Sequence, residues 1–202
     1  MALTFITGPV RSGKSRFAER LARESALAVS YVATALRDAN DPEWEARIAR
    51  HAAERPAGWR TIETGERDTE ALAALVRALP GDECLLLDSL GTWLAARMSA
   101  LLARDGERAA QDARALEREA GALAEALLAC RGTALVVGEE TGWGIVPDYP
   151  AGRVFRDVLG RVQQRLATHA ERAYLVVSGF ALDLGANAQR IESHRPPPSQ
   201  TE

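Results

Sequence analysis

Gly8-Pro9-Val10-Arg11-Ser12-Gly13-Lys14-Ser15 is the stretch on which the reading of this chain turns. It fills the pattern G-x-x-x-x-G-K-[ST] completely, and both of its flanks suit the pattern. Leu3–Thr7 before it is a short apolar run of buried-strand type, and Lys14–Ser25 after it carries Phe17 and Leu21 at helical spacing. The residue types follow from the task. Glycines let successive backbone N–H groups turn toward phosphate oxygens, Lys14 supplies a mobile positive charge for the β- and γ-phosphates, and Ser15 offers a hydroxyl to Mg²⁺. The helix that starts there adds the positive end of its dipole. The segment is therefore expected to bind a nucleoside triphosphate, with Gly8, Pro9, Val10, Arg11, Ser12, Gly13, Lys14 and Ser15 as contacts.

Outward from the loop, short apolar runs alternate with helical patterns. Strands are expected at Val29–Ala33, Arg60–Glu63, Glu83–Leu87, Ala134–Val137 and Tyr174–Ser178. Helices are expected at Glu43–Glu54 behind Pro42, Thr69–Leu79, Thr92–Ala103, Ala109–Ala129 and Val154–Ala170, with a turn at Asp105-Gly106. Alternation of this kind predicts an α/β fold of P-loop NTPase type, a mostly parallel sheet with helices on both faces. Ligands of such sheets sit outside the carboxyl ends of the strands, so the segments after Thr7, Ala33, Leu87 and Val137 should converge. One catalytic domain is expected over residues 1–184. From Gly185 the pattern dissolves, and residues 185–202, with Arg195-Pro196-Pro197-Pro198, read as a disordered tail.

Composition narrows the function class. The chain has 202 residues, of which 47% are apolar and 26% charged, and its formal net charge is -3. Its arginines alternate with acids, as in Glu117-Arg118-Glu119, which is the pattern of a solvated helix face and not of a nucleic-acid stripe. No run of about 18 apolar residues is present, and the N-terminal segment lacks the layout of a signal peptide, so a cytoplasmic protein without a membrane span is expected. Cys84 and Cys130 have no metal-ligand neighbours, which argues against structural zinc.

Two further positions stand out. Asp88 closes the run Cys84-Leu85-Leu86-Leu87-Asp88, the place where a P-loop protein holds Mg²⁺, although an aspartate there can also cap the next helix. Asp88-Ser89-Leu90-Gly91 also spells the D-x-x-G of a GTP-dependent switch, but the guanine-specifying Asn-Lys-x-Asp is missing from the chain. His51 shares a helical side with Trp44 and Ile48. Periodicity alone leaves open whether it is a boundary residue or a catalyst.

Taken together, the ordered segments resemble the bifunctional adenosylcobinamide kinase / adenosylcobinamide-phosphate guanylyltransferase family of cobalamin biosynthesis. They are Gly8–Arg16, Tyr31-Val32-Ala33-Thr34-Ala35, Arg47-Ile48 with His51 and Arg55-Pro56, Trp59–Glu63, Leu86-Leu87-Asp88 with Trp93-Leu94, Glu140–Pro147, Phe155-Arg156-Asp157 and Gly160-Arg161-Val162. The resemblance implies two transfers at one site. A nucleoside triphosphate, ATP or GTP, phosphorylates the hydroxyl of adenosylcobinamide. GTP then guanylylates His51, and GMP passes to adenosylcobinamide phosphate to give adenosyl-GDP-cobinamide. It implies that His51 and Lys14 are catalytic, that Ser15 and Asp88 hold Mg²⁺, and that Ala33, Thr34, Ala35, Ala52, Ala53, Glu54, Arg55, Glu63 and Asp88 contact nucleotide. It also implies a homotrimer in which a neighbouring subunit walls the site. The chain departs from the family's usual pattern at Glu139, where Asn is common, at Gln163-Gln164, and at Ser89-Leu90-Gly91. The rival readings are a small-molecule P-loop kinase without a histidine step and a GTP-dependent switch.

Overall fold

The computed structural model describes residues 2–64, 69–105 and 113–191, with side chains of 102–105 excepted. In chain order the elements are β1 (Ala2–Thr7), α1 (Lys14–Glu24), β2 (Ala28–Ala33), α2 (Pro42–Ala53), β3 (Arg60–Glu63), α3 (Thr69–Ala78), β4 (Glu83–Asp88) and α4 (Leu90–Asp105). Then come α5 (Ala113–Leu128), β5 (Thr133–Val137), α6 (Pro150–His169), β6 (Arg172–Val177), β7 (Phe180–Asp183) and α7 (Leu184–Asn187).

Seven strands form one sheet in the order β3-β2-β4-β5-β1-β6-β7. All neighbours are parallel except β6 and β7. Strands covered on both faces are mostly apolar, and the middles of β1, β4 and β5 are buried runs of that kind, with polar residues chiefly at their ends. Alternate residues feed two cores. Leu85 and Leu87 of β4 pack with α3, α4, α5 and α6, whereas Leu86 packs on the other face with Ala18 and Ala22 of α1. Helices therefore lie on both faces, as the alternation predicts.

The differences from expectation have local causes. The last long helix, α6, begins at Pro150 and not at Val154. Proline has no N–H to leave unpaired and its φ suits a first helical turn, so it opens the helix instead of prolonging the loop. The Ser178-Gly179 pair turns the chain back into β7, with both residues at positive φ (50° and 84°). Such a primed turn matches the twist of the two strands it joins. The segment from Gly185, expected as tail, continues here as α7 and reaches Ile191, with Arg190 donating to the carbonyls of Thr168 and Ala170. Residues 192–202, including the Arg195–Pro198 run, lie outside the described residues, as do 106–112 with part of the expected turn and the start of the expected Ala109 helix. Cys84 and Cys130 are both free and buried.

The register fixes what stands side by side. Glu63 of β3 is level with Ala33 of β2, Ala33 with Asp88 of β4, Asp88 with Val137 of β5, and Val137 with Ile6 of β1. One row thus crosses the sheet at its carboxyl edge, ending on Ile6, two residues before the loop begins at Gly8.

Candidate active site

The glycine-rich loop is held from both sides. A Cβ on Gly8 would come within 2.2 Å of the Val176 carbonyl oxygen, so only glycine lets β1 leave the sheet here. Gly13 adopts φ 100° and hands over directly to α1, whose first turn has no side-chain cap and no acidic residue. Its first N–H groups are thus free for an anion. The turn after β6 closes the loop from outside, Gly179 N–H donating to the Ser12 carbonyl at 2.9 Å. Glu140, just past β5, donates its N–H to the Gly8 carbonyl and accepts from the Thr7 hydroxyl at 2.7 Å. The Ser12 hydroxyl is buried without a partner. Val10 and Arg11 are exposed at the loop's tip.

Beside the loop a cleft opens at the carboxyl edge of the sheet. Its floor is the row Glu63, Ala33 and Asp88, with Ser15, Ala35 and Tyr31. Its outer wall is α2, which contributes Trp44, Ile48, His51 and the following Arg55. Asp88 is the junction: its Oδ1 accepts from the Ser15 hydroxyl at 3.3 Å and its Oδ2 from the Tyr31 hydroxyl at 2.7 Å. Ser15 hydroxyl and Asp88 carboxylate are hard oxygen donors side by side. They suit Mg²⁺ that keeps phosphate and water as its other ligands. No cluster of three or more His, Cys, Asp or Glu side chains joins them among the described residues.

The far end of the cleft is polar in a different way. Arg37 donates to Glu63 at 3.2 Å and to Glu45 at 3.0 Å, tying the floor to α2. The Trp44 indole N–H donates to the Leu36 carbonyl at 2.7 Å. The Arg55 guanidinium lies 3.9 Å from the Tyr31 ring centroid, and its Nε is buried without a partner. Burial pushes the Tyr31 phenol far above its usual pKa, and the neighbouring Asp88 carboxylate adds to the effect, so the hydroxyl stays a donor.

Of the residues singled out from sequence, Ser15, Ala33, Ala35, His51, Arg55, Glu63 and Asp88 meet in this cleft. Lys14 stands on the loop next to it, its ammonium 3.4 Å from the Pro9 carbonyl. Thr34 does not line the cleft. It is fully buried, and its hydroxyl donates to the Ser89 carbonyl and accepts the Ser89 N–H. Ala52, Ala53 and Glu54 are exposed at the end of α2 and do not line the cleft either.

Sequence reasoning missed Arg37 and the roles of Tyr31 and Glu139. Glu139 accepts from the Ser89 hydroxyl and from the Gly91 N–H at 2.7 Å, bracing the turn after Asp88. Burial pushes its carboxyl above the usual range, while the Ser89 hydroxyl, Lys14 and the Gly91 amide pull it back. The one signal in the sequence was an acid at the end of an apolar strand, and Glu140 beside it carried the same signal.

Comparison with known proteins identifies the family. Residues 4–184 match the family described as cobinamide kinase / cobinamide phosphate guanyltransferase. The bifunctional adenosylcobalamin biosynthesis protein CobP of Pseudomonas aeruginosa is 43% identical over 180 residues, 89% of this chain and 95% of that protein. The bifunctional adenosylcobalamin biosynthesis protein CobU of Salmonella typhimurium is 38% identical over 190 residues, covering 90% and 99% of the two chains. The Escherichia coli protein of the same name is 35% identical over 188 residues, with 90% and 99% covered.

Proposed function

Because the chain belongs to the cobinamide kinase / cobinamide phosphate guanyltransferase family, we propose that this one cleft both phosphorylates adenosylcobinamide and then transfers GMP to the product through a guanylylated His51. The observation that carries this reading is the joining of two chemistries in one cleft. Lys14, Ser15 and Asp88 stand at the loop end, and His51, Arg55 and Glu63 line the end toward α2.

In the first transfer the hydroxyl of the aminopropanol arm attacks the γ-phosphorus of ATP or GTP, and the nucleoside diphosphate leaves. Lys14 and the loop N–H groups hold the phosphate charge that develops. Ser15 and Asp88 would hold Mg²⁺, which would supply charge neutralisation at the phosphates. In the second transfer an imidazole nitrogen of His51 attacks the α-phosphorus of GTP and pyrophosphate leaves. Neutral imidazole is a competent nucleophile near pH 7, and the P–N bond it forms is labile to a phosphate oxygen. The phosphate of adenosylcobinamide phosphate then attacks that phosphorus, His51 leaves, and adenosyl-GDP-cobinamide forms. Arg55 lies one helical turn beyond His51, where its guanidinium can meet a phosphate oxygen. Glu63, one oxygen held by Arg37, offers its carboxylate to a guanine edge or to ribose hydroxyls.

Ala52, Ala53 and Glu54 are nucleotide contacts in this reading only if α2 shifts toward the loop when nucleotide enters, whereas Thr34, buried with its hydroxyl on Ser89, would act by holding the turn after Asp88. The α- and γ-phosphorus atoms are attacked from different partners, so some such movement, or a second nucleotide pose, is part of the proposal. Assembly as a homotrimer is another part of it. The exposed apolar residues Trp143, Ile145 and Val146 support a covered surface there. Light scattering at micromolar concentration should return three times the chain mass of 21.8 kDa. A monomer would remove that part of the reading.

Labelling separates the two transfers. With α-labelled GTP and Mg²⁺ the protein should acquire an acid-labile, base-stable adduct that is lost in His51→Ala. With γ-labelled nucleotide and adenosylcobinamide, Lys14→Ala should slow phosphorylation by roughly 10²–10³-fold, the usual loss when one charge-stabilising donor is removed. Phosphorylation without any α-label would leave a kinase with no histidine step. Nucleotide-dependent partner binding without corrinoid turnover would leave a switch.

A further inference from the structure

Tyr31 touches both ends of the cleft, and neither transfer as written above uses it. It belongs to the middle of β2, level with Leu86 of β4. Tyr31, Ala33, Leu86 and Asp88 are two residues apart along their strands, so their side chains leave the same face of the sheet. The Tyr31 side chain runs along that face to Asp88, and its hydroxyl reaches Oδ2 at 2.7 Å. The other carboxylate oxygen faces the Ser15 hydroxyl at 3.3 Å. The ring has a second task. One face carries the Arg55 guanidinium at 3.9 Å from the centroid, and the Trp59 ring stacks near it at 6.3 Å and 26°. Arg55 follows the C-cap Glu54 of α2, four residues beyond His51.

We propose that Tyr31 is a positioning residue for both transfers. Its hydroxyl fixes the Asp88 carboxylate so that one oxygen stays turned to Ser15. Its ring seats Arg55 and with it the end of α2 that bears His51. This inference rests on the proposed roles of Asp88 and His51.

The physical case lies in the freedom that would otherwise exist. A carboxylate at a strand end rotates about χ2 in a broad well, so without a second donor its plane swings and its oxygen is not held toward Ser15. The Tyr31 hydroxyl, donating at 2.7 Å, removes that freedom without adding charge. Helix α2 buries no residue of its own, so its position depends on a few polar and stacking contacts. The Arg55–Tyr31 stack is among the closest of them.

Two substitutions separate the two tasks. Tyr31→Phe keeps the ring, the stack and the core contact and removes only the hydroxyl. Tyr31→Leu removes both. Trp44 and Trp59 stand near the cleft, so their fluorescence can follow GTP binding as Mg²⁺ is titrated, independently of turnover. Tyr31→Phe should need several-fold more Mg²⁺ for half-maximal response, and at saturating Mg²⁺ it should form adduct several-fold faster than Tyr31→Leu. Tyr31→Leu should show the same Mg²⁺ shift and, in addition, lose adduct formation by about tenfold or more at saturating Mg²⁺. A wild-type Mg²⁺ midpoint in Tyr31→Phe overturns the hydroxyl's role. Equal adduct rates in Tyr31→Phe and Tyr31→Leu overturn the ring's role. If wild-type protein itself forms no adduct, the His51 reading fails, but the Mg²⁺ titration still decides the Asp88 half.

Discussion

At the scale of single residues, the cleft depends on side chains whose neighbours come from distant parts of the chain. Glu139 is the clearest case. Its carboxyl is held above the usual carboxylate range by burial, so the folded state binds its proton more tightly than the unfolded chain does. The stability this contributes is present in full below the unfolded value near pH 4.3 and is lost as pH rises through the raised value. Glu139→Gln keeps an acceptor for the Gly91 N–H and removes the charge. Its melting temperature should exceed that of wild type by a few degrees at pH 7, and the gap should close toward pH 4 in a series of thermal melts. A constant gap at every pH would mean that the effect is packing and not ionisation. The sequence placed an acid at this strand end but did not say that it would turn back onto Ser89 and Gly91.

At the scale of elements, α2 differs from the helices α1, α3, α5 and α6. The faces of α1, α3, α5 and α6 each bury several residues, whereas α2 buries none. It is held by its cap, Asp41 accepting the Trp44 N–H at 2.9 Å, by the Arg37–Glu45 pair, by the Trp44 indole on Leu36 and by Arg55 on Tyr31. A helix held by exposed polar contacts opens at low cost. Amide exchange across Pro42–Ala53 should be faster than across α1 or α5, and GTP with Mg²⁺ should slow it. Exchange as slow as that of α5 in the free protein would contradict a helix able to serve two phosphorus positions. Removing the cap in Asp41→Ala should speed exchange in the first turn further, by the equivalent of about 1 kcal/mol. The helix itself was legible from Pro42 and the Trp44–Ile48–His51 spacing. Its weak docking was not, because an amphipathic pattern says which side faces inward but not how deeply it sinks.

At the scale of the whole molecule, stability and chemistry are housed apart. The larger core lies under α3, α4, α5 and α6, on the face of the sheet away from α1 and the cleft's Tyr31 wall. Within those helices Arg97 is 8% exposed and pairs with Glu119 at 2.6 Å, and Thr69 also donates to Glu119. Taking the arginine from such a pair leaves a half-buried carboxylate without its cation. Arg97→Ala should lower unfolding free energy by about 3 kcal/mol, measured by denaturant titration. Nucleotide affinity below the transition should stay at the wild-type value, and a parallel loss of affinity would show that the two regions are coupled. What the sequence by itself determined here is whatever local pattern can encode: the phosphate loop, the alternation of strand and helix, the acid after β4 and the order of segments that marks the family. Only the tertiary structure decided that Glu63, Ala33 and Asp88 stand in one row, that Tyr31 bridges Asp88 and Arg55, and that Thr34 turns inward to Ser89. Those facts depend on strand register, and register is set by the packing of residues dozens of positions apart, which no local period records.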